Sequence, residues 1–222
     1  MTGLSRRRIL GSLAAGSVAL AAPSIVRAGA GSARVVIVGG GFGGATAARY
    51  LKMRAPQLQV TLIEPAKRFY TCPFSNLYLA GLRSWESIGH GYDGLRGAGI
   101  ELVHAQAEDV DTRLRTVRLS TGQTLGWDRL VLSPGVDMRW NALEGYDEAA
   151  SLRAPHAWKA GPQTQLLRRQ MEAMEEGGTF VMVIPENPFR CPPGPYERAA
   201  MLAHYFSRHN PRAKILLLDA KD

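Results

Sequence analysis

The sequence is poor in cysteine and in the motifs that cysteine and histidine usually form. Only two cysteines occur among the 222 residues, Cys72 and Cys191, and no C-x-x-C is present. These residues therefore hold no zinc ribbon, no thioredoxin-type dithiol and no attachment site for a c-type haem. The five histidines show neither H-E-x-x-H nor another metal-ligating spacing, so no metal site is predicted.

The charged residues form no cluster that would suggest a nucleic-acid partner. The formal net charge is +8, but four of the arginines lie in an N-terminal segment that we expect to be removed. No basic run is interleaved with aromatic residues, so nucleic acid is not an expected partner. The composition, 45% hydrophobic and 21% charged, is typical of a globular protein.

The N-terminus has the features of an export signal. The sequence S-R-R-R-I-L at residues 5–10 is a twin-arginine motif, and an uncharged stretch follows it to about Ala22. Ala28-Gly29-Ala30 fits the rule for signal cleavage. Residues 1–30 are therefore predicted to be a signal peptide, and the mature chain is expected in the periplasm without stable membrane insertion. An uncleaved membrane anchor and a chance basic N-terminus are the alternatives, but the stretch is short for a spanning helix.

Strand and helix patterns alternate along the rest of the chain, which predicts an α/β fold. Apolar β-branched runs predict strands at residues 34–38, 59–64, 100–103, 129–132, 179–184 and 213–218. A hairpin is predicted at 116–125, and helices at 45–54, 163–176 and 196–209. We place a first domain at 31–160 and the start of a second α/β domain at 161–222.

The loop after the first strand carries a dinucleotide-binding fingerprint. Gly39-x-Gly41-x-x-Gly44 follows a strand, opens a helix, and is followed by Glu64 at the end of the next strand. Gly39 would permit the tight turn, Gly41 the approach of a pyrophosphate, and Gly44 the packing of helix on strand. Glu64 is expected to accept hydrogen bonds from the ribose hydroxyls, which disfavours NADP. A glycine-rich turn that binds nothing is the alternative.

The elements after Glu64 favour FAD over NAD. A hairpin replaces the regular βαβ repeats of a dehydrogenase, and Ser133-Pro134-Gly135 lies where two-domain flavoproteins carry an Ala-Thr-Gly turn. The predicted fold is therefore a two-dinucleotide-binding-domain flavoprotein of the glutathione-reductase-like kind. Besides the three fingerprint glycines and Glu64, the predicted cofactor contacts in this domain are Phe42, Gly43, Arg68, Ala107, Ser133 and Gly135.

Both cysteines lie in distinctive segments, F-Y-T-C-P-F-S-N around Cys72 and N-P-F-R-C-P-P-G-P-Y-E-R around Cys191. With the twin-arginine signal, these segments resemble the flavoprotein subunit of flavocytochrome c sulfide dehydrogenase, a relative of the sulfide:quinone reductases. The resemblance covers essentially the whole chain. Because members of that family are longer, we expect the chain to be an N-terminal fragment that ends inside the second domain.

The resemblance implies a complete functional scheme. Cys72 would form a thioether to the 8α-methyl carbon of FAD. Cys191 would be one half of a redox-active disulfide beside the flavin, with its partner beyond Asp222. Sulfide would be oxidised through this disulfide in the periplasm, and the electrons would pass to a c-type cytochrome subunit in a heterodimer.

The residues around Cys191 support part of this scheme without the resemblance. Cys191 follows a predicted strand where an NADH-binding domain would carry a second G-x-G-x-x-G, but the loop is rich in proline, which has no N–H for phosphate. The second domain is therefore predicted not to bind a nucleotide. A cysteine just before a helix N-terminus is in a field that stabilises a thiolate. Glu197 is predicted to accept a proton from hydrosulfide; the alternative is a first-turn glutamate favoured by the helix dipole.

Several alternatives stay open at this stage. Either cysteine can be a small buried hydrophobic residue, or the two can form a direct Cys72–Cys191 disulfide. The protein can be a membrane-associated sulfide:quinone reductase instead. The 222 residues can also be an FAD-binding module without turnover.

Overall fold

The computed structural model describes residues 32–220, so the predicted signal peptide lies outside the described residues. This part of the chain contains eleven strands. They are β1 (Arg34–Val38), β2 (Gln59–Ile63), β3 (Phe69–Tyr70), β4 (Gly89–His90), β5 (Glu101–Val103), β6 (Ala107–Asp111), β7 (Thr116–Leu119), β8 (Thr124–Gly126), β9 (Arg129–Leu132), β10 (Thr179–Ile184) and β11 (Lys214–Asp219).

Three long helices and two short ones connect these strands. They are α1 (Phe42–Arg54), α2 (Ser75–Leu79), α3 (Asp93–Gly97), α4 (Pro162–Glu172) and α5 (Gly194–His209), with 3-10 turns at Glu86–Ile88 and Ala150–Leu152. The predicted strands and long helices are confirmed, with ends that shift by a few residues. The helices α2 and α3 were not predicted, because five residues are too few to show a helical period.

The described residues form two compact units. One consists of residues 32–69 and 91–136, and the other of residues 70–90 and 137–220. These units differ from the predicted domains, because residues 70–90 and 137–160 pack with the later part of the chain. The two units reflect contacts within this chain, and such contacts need not follow the boundaries of domains. The predicted boundary near residue 160 therefore stays a prediction.

The first unit is built on a four-stranded sheet in the order β5-β2-β1-β9, and every pair is parallel. Strand β1 is apolar at each of Val35–Val38 because both of its faces are covered. Val35 and Ile37 pack in one core with Ala48 of α1. Val36 and Val38 pack in another core with residues of the neighbouring three-stranded sheet.

That second sheet is antiparallel, in the order β6-β7-β8. It confirms the predicted hairpin, whose turn includes Gly122 at a φ of +83°. Its first strand, β6, was missed because the sequence A-E-D-V-D carries three acids. The buried Val117 and Leu119 of β7 attach this sheet to the parallel one.

The second unit packs α2, α4 and α5 around the parallel pair β10-β11. Its core consists of Leu79, Ala157, Leu167, Met171, Met182, Leu202, Tyr205 and Phe206. Arg168 of α4 ties α2 to this core, because its Nη1 donates to the carbonyl of Leu79 at 2.8 Å. Between residues 32 and 220, no helix has the length and apolarity needed to cross a membrane.

Candidate functional sites

The turn between β1 and α1 has the geometry expected of the fingerprint. Gly39 has a φ of +98°, and a Cβ on it would overlap the carbonyl oxygen of Ser133. A Cβ on Gly44 would overlap the carbonyl oxygen of Gly39 and lie 3.2 Å from Ile37 Cγ2. Gly39 thus allows the tight turn and Gly44 allows the close packing of α1 on β1, as the sequence predicts.

Gly41 and Gly43 leave room at the start of α1. A Cβ on Gly41 would meet only Phe69 Cε2, at 3.7 Å, so the space in front of this residue is largely open. A Cβ on Gly43 would lie 2.6 Å from Ser133 Oγ, so a side chain here would displace that hydroxyl. The first turn of α1 has no side-chain cap and no acidic residue. Its amides are therefore available to an anion.

The carboxylate of Glu64 closes the loop from the neighbouring strand. Its Oε2 accepts a hydrogen bond from the Gly40 N–H at 2.7 Å, and its Oε1 accepts one from the Ala66 N–H at 2.9 Å. A carboxylate has about four lone-pair sites, so further donors such as ribose hydroxyls can be accommodated. The predicted ribose contact stays a prediction.

Tyr92 holds the same loop from the other side. Its phenol donates to the carbonyl of Gly40 at 3.1 Å, and the residue is buried. Burial, with a smaller contribution from Glu64, raises the pKa of Tyr92 to about 12, so the donor stays protonated at neutral pH. No local pattern in the sequence points to Tyr92, which lies 52 positions from Gly40.

These contacts fit the pyrophosphate and ribose of a dinucleotide. The face of Gly41 is open, the first amides of α1 are uncapped, and the Glu64 carboxylate has lone pairs to spare. Gly39, Gly41, Gly44 and Glu64 thus lie together at one loop, and their role as cofactor contacts stays a prediction.

The other predicted cofactor contacts of the first unit are more dispersed. Ser133 follows β9, and its N–H donates to the Val38 carbonyl at 2.8 Å, so it borders the loop. Gly135 is exposed at a φ of +70°, and Phe42 is exposed with its ring against the edge of Phe69. Arg68 is exposed after β2, and Ala107 begins β6, paired with Leu119.

In the second unit, Cys72 is exposed just before α2. Its thiol donates to the Trp158 carbonyl at 3.0 Å, and its own carbonyl accepts from the Ser75 N–H at 2.9 Å and hydroxyl at 2.7 Å. Both cysteines are free, so the structure does not contain the alternative Cys72–Cys191 disulfide.

Arg198 lies under this site and is buried, with 2% of its surface exposed. Its guanidinium carbon lies 3.5 Å from the centre of the Trp158 ring. Its N–H groups donate to the carbonyls of His156 at 2.9 Å and Ala157 at 2.7 Å, and to Asn76 Oδ1 at 2.9 Å. Burial lowers the pKa of Arg198 to about 10, while the charges of Cys72 and Glu197 act in the opposite direction.

Cys191 lies in the loop before α5, as the sequence predicts. It is exposed and has a φ of +58°, which is uncommon for a residue with a side chain. A Cβ on Gly194 would lie 3.2 Å from Cys191 Sγ and 3.5 Å from Trp158 Cζ3. Gly194 therefore leaves room for the cysteine sulfur near the indole edge.

Glu197 lies in the first turn of α5 and points to α2. Its Oε1 accepts a hydrogen bond from Asn76 Nδ2 at 2.8 Å. Asn76 thus contacts both Glu197 and Arg198. The burial of Asn76 and of Arg198 could not be anticipated from the sequence, because asparagine and arginine side chains are usually exposed. No three histidine, cysteine or acidic side chains within residues 32–220 are grouped to hold a metal ion.

Two protein-family models match the chain, and together they cover both groups of predicted site residues. The model of the pyridine nucleotide-disulphide oxidoreductases matches residues 33–171, which include the fingerprint loop and Cys72. The model of the central part of the sulfide dehydrogenase [flavocytochrome c] flavoprotein chain matches residues 164–222, which include Cys191 and Glu197.

Individual relatives agree with these matches. The sulfide dehydrogenase [flavocytochrome c] flavoprotein chain of Chlorobaculum thiosulfatiphilum is 61% identical over 46 residues, which are 21% of this chain and 96% of that sequence. The sulfide-quinone reductase of Aquifex aeolicus is 30% identical over 185 residues, covering 82% of this chain and 41% of that one.

Among solved structures, the sulfide:quinone oxidoreductase from Aquifex aeolicus matches with a TM-score of 0.72 and 22% identity. The match covers 86% of this chain and 44% of that one, and it supports the fold. The chain thus spans about two fifths of the length of the sulfide:quinone reductases that it matches.

Proposed function

Because the chain belongs to the pyridine nucleotide-disulphide oxidoreductase family, we propose that it is the FAD-binding part of a periplasmic sulfide dehydrogenase that passes electrons to a c-type cytochrome subunit. The observation that carries the proposal is the match of residues 164–222 to the flavocytochrome c sulfide dehydrogenase flavoprotein chain. The 61% identity to a member of that group supports the same assignment.

FAD is the proposed cofactor, bound at the fingerprint loop. The amides at the start of α1 and the open face of Gly41 would hold the pyrophosphate, and Glu64 would orient the ribose while keeping the loop closed through Gly40. When bound, FAD supplies a carrier that accepts an electron pair and releases single electrons. Tyr92 and Glu64 keep the loop in shape before the cofactor binds, which lowers the entropy cost of binding.

Cys72 is the proposed site of covalent attachment to the flavin. The residue is exposed at the start of α2, and both its sulfur and its carbonyl are held by hydrogen bonds. A tether would prevent loss of the cofactor after export. This role comes from the resemblance, and the positioned sulfur is compatible with it.

Cys191 is the proposed redox-active cysteine, paired in a disulfide with a cysteine in the rest of the protein. Hydrosulfide would attack this disulfide, so that one S–S bond forms, one breaks, and the products are a persulfide and a thiolate. Glu197 would accept the proton of hydrosulfide. The exposure of Cys191 and the room left by Gly194 are suited to an incoming sulfur nucleophile.

The loop between β10 and α5 supports the absence of nucleotide binding in the second domain. Prolines stand at 185, 188, 192 and 193, and Pro195 lies in the first turn of α5. Each removes one amide from the place where a second fingerprint would bind phosphate.

The test uses the full-length protein, purified from periplasmic extract together with any copurifying subunit. We expect a yellow protein that reduces cytochrome c on addition of sulfide, with no turnover of NADH. Flavin that stays with the chain after acid precipitation, and that is released in Cys72→Ser, would support the tether. A colourless protein would refute the proposal, and reduction of a soluble quinone instead of cytochrome c would assign it to the sulfide:quinone reductases, which the 30% identical relative represents.

A further inference from the structure

The carbonyls of three consecutive residues, 156–158, accept hydrogen bonds from Arg198 and Cys72. The carbonyls of His156 and Ala157 accept from Arg198, and the next one, of Trp158, accepts from the Cys72 thiol. The same guanidinium stacks on the Trp158 ring at 3.5 Å. The position of the carbonyl that holds the Cys72 sulfur is therefore set by Arg198.

Arg198 also holds the helix that follows Cys72. Its Nε donates to Asn76 Oδ1 at 2.9 Å, four residues after the cysteine and inside α2. The start of α2 is in turn bonded to Cys72 through Ser75, whose N–H and hydroxyl donate to the Cys72 carbonyl. One side chain thus fixes both segments that determine where the sulfur lies.

From this arrangement we propose that Arg198 is a positioning residue for the attachment of FAD, because it fixes the two segments that hold the Cys72 sulfur, at Trp158 and at Asn76. The proposal rests on the proposed attachment of FAD at Cys72. Arg198 does not touch the reacting atoms, because it is buried beneath the indole ring of Trp158.

The burial of a charge is the strongest argument for this role. Three of the guanidinium's partners are neutral oxygens, of Asn76, His156 and Ala157, and none is a carboxylate. Burying a cation without a direct ion pair is costly, and a neutral side chain could pack there more cheaply. All three acceptors belong to the two segments that hold Cys72, so this buried cation is bonded where it fixes the position of the sulfur.

Attachment would form a carbon–sulfur bond from Cys72 to the flavin 8α carbon, with loss of the thiol proton and one 8α hydrogen. FAD itself would take up the two electrons, so no other oxidant would be needed. Glu197, held by Asn76, and the His156 ring, which accepts from the Trp158 N–H, are the other titratable groups around the segment.

The test measures covalently bound flavin in the full-length protein, by acid precipitation followed by flavin fluorescence of the denatured chain. Arg198→Met removes the charge and the hydrogen bonds. Lys52→Met is a matched control, because Lys52 is also a cation that donates to two carbonyls, of Pro56 and Leu58, but it lies in the other unit. We expect the covalent fraction to fall by roughly tenfold in Arg198→Met, which corresponds to the loss of one hydrogen bond to a charged group, and to stay unchanged in the control.

A measurement of total bound FAD separates this role from a general loss of folding. Arg198→Met should still bind FAD, and only the fraction that is attached to the chain should fall. Equal covalent fractions in the Arg198→Met and Lys52→Met variants would overturn the proposal, and so would a parallel loss of all bound FAD.

A second variant keeps the proposal testable if Arg198→Met does not fold. Arg198→Lys keeps the charge but lacks the planar fork that bonds the two carbonyls and Asn76 in a fixed geometry, so attachment should be slower than in the wild type without being abolished. Attachment at the wild-type rate in Arg198→Lys would contradict the positioning role. If the wild-type protein itself carries no covalent flavin, the attachment at Cys72 is wrong and the fault lies in the proposed function.

Discussion

The phenol of Tyr92 donates a hydrogen bond to the carbonyl of Gly40, in the middle of the glycine-rich loop. The N–H of the same residue, Gly40, donates a hydrogen bond to the carboxylate of Glu64. A Cβ at Gly40 would lie 2.9 Å from both Glu64 and the Tyr92 hydroxyl. The loop is thus held from two sides, by residues that are separated from it in the sequence.

Removing the Tyr92 hydroxyl should weaken the loop. Tyr92→Phe leaves a buried carbonyl without its donor, which costs about 1 kcal/mol. We expect a lower urea midpoint for the rise in flavin fluorescence of the full-length protein. Tyr146→Phe is the control, since that phenol also donates to a carbonyl, of Ala154, but belongs to the other unit. An unchanged midpoint in Tyr92→Phe would show that the loop does not depend on this contact.

Alanine at Gly44 should disrupt the turn, whereas alanine at Gly97 should not. The Cβ at Gly44 would overlap the carbonyl oxygen of Gly39, and we expect a loss of about 3 kcal/mol, the upper end of overpacking penalties. At Gly97 of α3 a Cβ would meet no heavy atom within 4 Å, so Gly97→Ala should be neutral or stabilise the protein by about 0.5 kcal/mol. Chemical unfolding and the FAD content of both variants provide the measurement. Normal FAD content in Gly44→Ala would contradict the role of this glycine.

Acid should destabilise the segment at His156–Trp158. Burial, and next the charges of Arg198 and Lys159, lower the pKa of His156, with Asp137 opposing. A histidine with a lowered pKa contributes stability above its unfolded value of about 6.5, and that contribution is lost as the pH falls. Protonation would also remove the hydrogen-bond acceptor of the Trp158 backbone N–H, which is Nδ1 of His156.

We therefore expect the unfolding midpoint of the wild type to fall between about pH 7.5 and about pH 5.5 by more than that of His156→Asn. The substitution His90→Asn, at an exposed position of the same unit, should leave the pH dependence unchanged. If His156→Asn and the wild type respond equally to acid, the histidine is not the titrating group.

The ion pair between Arg34 and Asp128 should be visible in a carboxylate titration. The Arg34 side chain and then its backbone N–H, at 2.7 Å, lower the pKa of Asp128. The stability that this aspartate contributes is present above its ordinary value of about 4 and is lost as the pH falls through the lowered one. In Arg34→Gln, NMR titration of Asp128 should show its pKa moving back up. An unchanged titration would mean that the backbone donor alone is responsible.

Much of the first unit was predictable from local patterns. The run Val35–Val38 predicted a buried strand, and the glycines after it predicted the turn, because backbone sterics at Gly39 and Gly44 are local. The strand β6 was not predictable, since its three acids resemble a loop and only the pairing with β7 makes it a strand. The grouping of residues 70–90 with the second unit was also not predictable, because it depends on the packing of α2 with α4 and α5, which lie far along the chain.

The sequence alone determined the chemical type of this protein: a strand, a glycine turn, an acidic residue at the next strand's end, and two cysteines in recognisable segments. These features depend on residue type and spacing, which a sequence displays directly. Only the tertiary structure decided what surrounds each of them, from the Tyr92 phenol over the loop to the buried Arg198 beneath Cys72. Burial and hydrogen bonding between distant segments arise when the chain packs, and no local pattern encodes them.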